Sequence, residues 1–196
     1  MAHNNIEIEI KVKVERIEKL QQFLQEHAQF RGEKHQIDEY FTPESGDFMA
    51  VRPVNEWLRL RDANGTCTIN YKLWHRDHTG KSEYCDEIET SIGEIAQGQK
   101  ILKALHFRSL VTVDKVRSVW VYQDFEIGID VVQNLGTFIE VEYIGTDTNA
   151  VPKTVMAQMI AFLEETQCGN MSLTDTGYPM LLLHPEEFEG KEIHLS

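Results

Sequence analysis

Residues 6–14 read Ile-Glu-Ile-Glu-Ile-Lys-Val-Lys-Val, an unbroken alternation of apolar and charged side chains. Because side chains alternate between the two faces of a β-strand, this stretch predicts a strand with one apolar and one charged face. On the charged face, like charges follow each other: Glu7 and Glu9 precede Lys11 and Lys13. One such strand is typical of a solvated sheet face, so its meaning depends on whether the pattern recurs.

The pattern does recur, in segments that lie far apart in the chain. Each further segment carries either one charged residue or two residues of like charge that are two positions apart. These positions are Arg59 and Arg61, Lys72, Glu87 and Glu89, Lys115 and Arg117, Asp130, and Glu140 and Glu142. Like charges two residues apart on a strand lie roughly 7 Å from each other and repel. If the sheet closes into a barrel, these faces line one interior, where opposite charges compensate each other.

Strands make up most of the predicted secondary structure. The eight strand segments are 6–14, 36–41, 56–61, 66–74, 81–90, 110–121, 124–132 and 136–144. Asn64-Gly65 predicts a tight turn between the third strand and the fourth. Three helices are predicted, over 15–29, after a capping box from Ser91 to Glu94, and over 153–166. This mixture indicates an α+β protein in which the helices cover the apolar face of the sheet.

Length and charge limit the classes of function. The chain has 196 residues with 19 basic and 32 acidic side chains, which gives a formal charge of −13. A net acidic chain is not a general binder of nucleic acid or of anionic membranes, because those partners attract a positive field. No apolar run approaches the ~18 residues of a membrane helix. The length predicts a single domain over 1–184, followed by an acidic tail over 185–196.

The cysteines indicate the compartment. Cys67, Cys85 and Cys168 are odd in number and widely spaced, without a Cys-x-x-Cys pair. This spacing predicts reduced thiols in a cytoplasmic protein rather than a disulfide framework or a zinc site.

Grouped cations beside grouped carboxylates favour one kind of ligand. Arginine and lysine bind phosphate oxygens, and arginine does so with two parallel hydrogen bonds. Grouped carboxylates hold a hard divalent cation such as Mg²⁺, which keeps several waters and bridges to phosphates. Together these residues predict a small-molecule polyphosphate ligand bound with a metal ion.

The ordered set of charged motifs resembles the CYTH, or triphosphate tunnel metalloenzyme, superfamily, and in particular its class IV (CyaB-like) adenylate cyclases. The family's opening Glu-x-Glu-x-Lys motif matches Glu7, Glu9 and Lys11, and its later motifs follow in order up to Glu140 and Glu142. The resemblance covers 6–183 and implies an eight-stranded antiparallel closed β-barrel with a polar lumen and flanking helices. It departs at Cys85, where many members carry arginine.

The resemblance also implies roles for the charged residues. The implied triphosphate-binding residues are Lys11, Arg59, Arg61, Lys72, Lys115 and Arg117. The implied metal ligands are Glu7, Glu9, Glu87, Glu89, Asp130, Glu140 and Glu142, and the metal is Mg²⁺ or Mn²⁺. The implied catalytic residues are Lys72, Lys115, Glu87 and Asp130. Neighbouring carboxylates are expected to raise the pKa of either lysine and so to oppose a role as general base.

Three functions use these same residues, and the resemblance favours the first. The first is a class IV adenylate cyclase, which converts ATP into cyclic AMP and pyrophosphate. The second is a triphosphatase that hydrolyses tripolyphosphate, thiamine triphosphate or a nucleoside triphosphate. The third is a non-catalytic module that binds polyphosphate or a nucleotide. The resemblance allows a homodimer, and Tyr178 and the leucines at 181–183 are expected to plug or flank one end of the barrel.

Overall fold

The computed structural model describes residues 8–76, 82–146, 151–174, 176–187 and 193–194. The chain divides into two compact units. Unit 1 comprises 1–34 and 115–196, and unit 2 comprises 35–114.

Unit 1 is built from antiparallel strands and three helices. The helices are α1 (Glu18–His27), α3 (Pro152–Glu165) and α4 (Tyr178–Leu183). The strands are β1 (Glu9–Val14), the second half of β6 (Phe107–Tyr122), β7 (Phe125–Val132), β8 (Gly136–Tyr143), β9 (Met171–Leu173) and β10 (Ile193–His194). Their order within the sheet is β10-β9-β1-β8-β7-β6, with each described neighbouring pair antiparallel.

One face of the unit 1 sheet is apolar and carries α1 and α3. Val12 of β1, Ile127 of β7 and Ile139 of β8 are fully buried there, together with Leu20 of α1 and Met159 of α3. Burial of each large aliphatic side chain stabilises the fold by about 1.5–3 kcal/mol. The apolar positions of the opening alternation therefore face helices, as predicted, and the charged positions occupy the opposite face.

Unit 2 contains four antiparallel strands, the first half of β6 and one α-helix. The elements are β2 (Gln29–Pro43, which begins in unit 1), β3 (Glu56–Ala63), β4 (Thr66–Arg76), β5 (Ser82–Ser91) and α2 (Ile95–Ala104). The strand order is β2-β3-β4-β5. Phe41, Leu58 and Leu60 pack against Leu102 of α2 on one face. Asn64 and Gly65 both have positive φ, which confirms the two-residue hairpin turn between β3 and β4.

The eight predicted strands correspond to β1–β8, and an antiparallel α+β fold is confirmed. Short strands β9 and β10 and helix α4 were not predicted, because elements of three, two and six residues carry too little periodicity. The closed barrel stays a prediction. The described parts of the predicted tail form a single 3₁₀ turn (Pro185–Glu187) and strand β10.

The capping box was wrong. Helix α2 begins at Ile95, its N-cap is Glu94, and the Glu94 side chain makes no cap hydrogen bond. Ser91 instead ends strand β5. Helix α1 also begins later than predicted, at Glu18. Among the residues that the structure describes, no helix combines the length and apolar character that crossing a membrane requires.

Candidate functional site

The charged face of unit 1 brings together side chains from β1, β6, β7, β8 and α4. Strand register places Lys11 opposite Glu140, and Arg117 opposite Asp130. We name this group the Asp130 cluster; its members are Lys11, Lys115, Arg117, Asp130, Glu140 and Tyr178. Every member except Tyr178 was identified from the sequence.

Asp130 is the centre of this cluster and its side chain is fully buried. Arg117 binds it with two hydrogen bonds, from Nε to Oδ1 and from Nη2 to Oδ2, both 2.6 Å long. Lys115 Nζ donates to Oδ2 at 2.9 Å, and the Tyr178 hydroxyl donates to the same oxygen at 2.8 Å. Burial opposes ionisation, but Arg117 and Lys115 outweigh it and lower the pKa of Asp130 to about 2. Asp130 is therefore a fixed negative charge that orients two cations.

Glu140 is the second carboxylate of the cluster. Lys11 Nζ lies 3.1 Å from its Oε1, and Arg117 contacts its Oε2. Burial alone would raise the pKa of Glu140, but Lys11 and Arg117 lower it. Arg117 thus joins the two carboxylates, and Glu140 is ionised at neutral pH.

Lys115 departs from its expected behaviour. Its side chain is only 5% exposed. Burial lowers its pKa and outweighs the opposing effect of Asp130. Asp130 and Glu140 do raise the pKa of Lys115, as expected, but the net shift is downward because desolvation of the buried ammonium group is the larger effect.

The charged face of unit 2 holds a second group, the Asp38 cluster, whose members are Asp38, Tyr40, Arg59, Arg61, Asn70, Lys72, Glu87 and Glu89. Arg61 binds Asp38 through Nε–Oδ1 and Nη2–Oδ2 hydrogen bonds of 2.6 Å each. Nη1 of Arg59 lies 3.5 Å from Asp38 Oδ2 and 3.4 Å from the Tyr40 hydroxyl. The buried Nε of Arg59 has no hydrogen-bond partner among the described residues.

The carboxylates of the Asp38 cluster are held by an amide and a lysine. Asn70 Nδ2 donates to Glu87 Oε1 at 2.7 Å and to Glu89 Oε2 at 3.2 Å. Lys72 Nζ lies 3.2 Å from Glu87 Oε2. Burial opposes ionisation of Glu87, but the Asn70 hydrogen bond and Lys72 lower its pKa. Asn70 thus separates two like charges that the strand places two residues apart.

Some of the predicted metal ligands suit a divalent cation better than others. Glu9 lies opposite Glu142 in register, and Glu142 lies opposite Glu126, so these three glutamates occupy neighbouring positions on β1, β8 and β7. Like charges directly opposite each other destabilise a sheet, and Mg²⁺ needs only one or two carboxylates besides phosphate oxygens and water. These glutamates fit the ion. Asp130 fits less well, because four hydrogen bonds occupy its two oxygens.

Two further facts bear on the metal prediction. Glu7 lies outside the described residues. Among the described residues, no three His, Cys, Asp or Glu side chains already lie close enough together to enclose a metal ion. Metal binding by the predicted glutamates stays a prediction.

Sequence reasoning missed Asp38, Tyr40, Asn70, Glu126 and Tyr178. Asp38 and Tyr40 occupy alternate positions on β2, and Asn70 faces Arg59 across strands. A lone polar residue in a strand has no charge pattern that distinguishes it from an exposed one. For Tyr178 there was a signal: Pro179 lies in the first turn of α4 and an apolar run follows, as at many helix starts.

The chain is similar to proteins of a known family. The CYTH domain profile matches residues 5–178. A protein from Methanocaldococcus jannaschii named "Putative adenylate cyclase" is 34% identical over 160 residues, which cover 81% of this chain and 88% of that protein.

Solved structures with the same fold come from several organisms. A Pyrococcus horikoshii OT3 protein has a TM-score of 0.69 and 26% identity over 91% of this chain and 99% of its own. A Vibrio parahaemolyticus protein named a "putative adenylate cyclase" has a TM-score of 0.66 and 17% identity, over 90% of this chain and 97% of its own. A Hippeastrum protein, described as a "putative adenylyl cyclase" with a dominant triphosphatase activity, has a TM-score of 0.65 and 20% identity, over 90% and 94% of the two chains.

Proposed function

Because the chain belongs to the CYTH domain family, we propose that it is a divalent-metal-dependent adenylate cyclase that converts ATP into cyclic AMP and pyrophosphate. The name of the Methanocaldococcus jannaschii relative favours this branch of the family. Each unit carries charged residues of the kind that bind a triphosphate substrate.

The observation that carries the proposal is the state of Arg59. Asp38 and Tyr40 orient its guanidinium group through Nη1, and 15% of the Arg59 side chain is exposed. A phosphate oxygen is the acceptor that such an oriented guanidinium group binds best.

The Asp130 cluster supports the same proposal. Lys11, Lys115 and Arg117 bring three positive charges against the two carboxylates of Asp130 and Glu140. This leaves a net positive charge that attracts phosphate oxygens. Because Asp130 fixes Arg117 and Lys115 before a ligand arrives, these cations need little rearrangement to stabilise charge that develops on a departing pyrophosphate.

Glu9, Glu140 and Glu142 are the residues that would hold Mg²⁺ or Mn²⁺, with Glu7, Glu87 and Glu89 as further predicted ligands. When bound, such an ion would neutralise negative charge on the substrate phosphates. Lys115 and Lys72 are the predicted catalytic lysines. Their ammonium groups, paired with Asp130 and Glu87, would neutralise negative charge on the substrate phosphates.

A triphosphatase is the second candidate, because the contacts described above hold phosphates and not adenine. Hydrolysis and cyclisation differ in which oxygen attacks and which phosphorus it reaches, and both need the same cations. A non-catalytic binding module is the third candidate. It would not require paired carboxylates at so many positions.

Product analysis by mass spectrometry tests the proposal. Purified protein is incubated with ATP and Mg²⁺ or Mn²⁺, and parallel samples contain tripolyphosphate or thiamine triphosphate. We expect cyclic AMP and pyrophosphate from ATP, and none from an Arg117→Ala variant that controls for contaminating enzymes. Orthophosphate without cyclic AMP would assign a triphosphatase. Binding without any product would assign the binding module.

A further inference from the structure

Helix α4 places Tyr178 between the two lysines of the Asp130 cluster. Lys11 Nζ lies 4.8 Å from the centroid of the Tyr178 ring, and Lys115 Nζ lies 5.0 Å from it. Both distances are within the roughly 6 Å range of an attractive cation–π contact. The ring is buried and packs edge-to-face on Phe138, with 5.0 Å between centroids.

The hydroxyl of Tyr178 makes a separate set of contacts. It donates to Asp130 Oδ2 at 2.8 Å and lies 3.4 Å from Glu140 Oε1. Burial, together with Glu140 and Asp130, raises the pKa of Tyr178, so the hydroxyl keeps its proton and acts as a donor. Ring and hydroxyl therefore hold different members of the cluster.

Each lysine consequently has two partners. Lys11 contacts Glu140 and the ring, and Lys115 contacts Asp130 and the ring. A lysine ammonium group sits on a flexible four-carbon chain, so its position depends on the groups that contact it. Without the ring, each ammonium group loses one of its two partners.

We propose that Tyr178 is a positioning residue whose ring holds Lys11 and Lys115 in place to bind phosphate oxygens of the substrate. This inference rests on the proposed function, since it concerns the same phosphate-binding lysines. It assigns the C-terminal helix α4 a role in ligand affinity in addition to any role in covering the sheet.

Substitutions at Tyr178 separate the ring from the hydroxyl. Tyr178→Phe keeps the ring and removes the hydroxyl, whereas Tyr178→Leu removes both. With tripolyphosphate as the probe, titration calorimetry should give a Kd for Tyr178→Phe within about threefold of wild type. The Kd of Tyr178→Leu should rise by about tenfold, because two cation–π contacts are lost. Tyr178→Met provides a second non-aromatic variant if the leucine variant does not fold.

A double variant tests whether Tyr178 acts through a lysine. In a Lys11→Met background, Tyr178→Leu should raise the Kd by a clearly smaller factor than in the wild-type background. Tyr122→Leu is the matched control, since Tyr122 stacks on Phe162 on the apolar side of unit 1. It should leave the Kd unchanged even if it lowers thermal stability.

Proton NMR tests the contact between the ring and the lysines directly, because the chemical shifts of the lysine ε-protons depend on the ring and not on overall stability. Lysine methylene protons above an aromatic ring resonate upfield, so the ε-protons of Lys11 and Lys115 should be shifted upfield in wild type and Tyr178→Phe. The shift should disappear in Tyr178→Leu. Ordinary lysine shifts in wild type would overturn the inference.

The outcomes distinguish the inference from the proposed function. If folded wild-type protein does not bind tripolyphosphate or ATP, the proposed function fails and the inference fails with it, whatever the NMR shows. If wild type binds but folded Tyr178→Leu or Tyr178→Met binds equally well, only the inference fails. Tighter binding by these variants would also overturn it, because the ring would then compete with phosphate for the lysines.

Discussion

Arg117 on β6 reaches Glu140 on β8 by passing over Gly128 of the intervening strand β7. Gly128 lies opposite Glu140 in register, and a Cβ atom added there would lie 3.7 Å from Nε and Cζ of Arg117. The Arg117 guanidinium group thus occupies the space that a large side chain at position 128 would fill. The link between Asp130 and Glu140 therefore requires a small residue at position 128.

Substitution of Gly128 should therefore affect ligand binding according to side-chain size. Gly128→Ala places its Cβ at ordinary van der Waals distance from Arg117 and should leave the tripolyphosphate Kd within about twofold. Gly128→Leu should displace Arg117 from Glu140 and raise the Kd by about tenfold, the loss of one charged hydrogen bond. Calorimetry measures both. Equal affinities for the leucine and alanine variants would refute the dependence on this path.

Removal of one predicted metal ligand should weaken metal binding. Glu142→Gln keeps the shape of the side chain but removes its charge, so the Kd for Mn²⁺ should rise at least about tenfold. Electron paramagnetic resonance of free Mn²⁺ measures this Kd independently of turnover. Glu165→Gln, at an exposed position of α3, is the control and should bind Mn²⁺ as wild type does. Unchanged Mn²⁺ affinity in Glu142→Gln would remove Glu142 from the metal site.

If Arg59 binds the polyphosphate chain, its substitution should weaken the binding of ATP more than the binding of AMP. Arg59→Lys keeps the charge but loses the planar fork and its Nε–H, so the Kd for ATP should rise by about tenfold or more. The Kd for AMP should change much less, because AMP offers one phosphate group. Arg108→Ala is the control, since Arg108 is half exposed and bonds Asp47. Equal losses for ATP and AMP would show that Arg59 does not bind the polyphosphate chain.

Asp130 should contribute stability that depends on pH. Its folded-state pKa is about 2, below the value of about 3.9 for an unfolded aspartate. The contribution to the free energy of unfolding, about 2 kcal/mol, is present above about pH 4 and is lost as the pH falls towards 2. Denaturant unfolding at several pH values should show the difference between wild type and Asp130→Asn shrinking over this range.

Asp124→Asn, at an exposed turn between β6 and β7, is the matched control for this experiment. It should follow the wild-type pH dependence. A constant difference between wild type and Asp130→Asn from pH 7 to pH 2 would contradict the assignment of the low pKa to Asp130.

The stability of the protein should fall when the amide donor of Asn70 is replaced by a carboxylate. Asn70→Asp places a third carboxylate beside Glu87 and Glu89, which raises their folded-state pKa values through repulsion. Because the unfolded chain then releases protons more readily, the variant should lose stability relative to wild type as the pH rises from about 4 to 7. Thermal unfolding at both pH values measures this loss. Asn64→Asp, in the exposed β3–β4 turn, should show no such loss.

Much of the fold and part of the site could be predicted because strand alternation is a local property. The pattern of residues 6–14 assigns Lys11 and Glu9 to one face and Val12 to the other, and β1 confirms this arrangement. The same reasoning put Arg59 and Arg61 on one face of β3. It could not identify Asp38, because a single aspartate on β2 gains meaning only when register sets it opposite Arg61.

The sequence by itself determined strands β1–β8, their two faces and the charged residues that those faces present, because these follow from side-chain alternation along a few neighbouring residues. Only the tertiary structure decided which cation contacts which carboxylate. Arg117 joins Asp130 to Glu140 because three strands align in one register, and Tyr178 meets Lys11 and Lys115 because α4 packs there. Such contacts join residues remote in the chain, so they depend on long-range packing that no local pattern encodes.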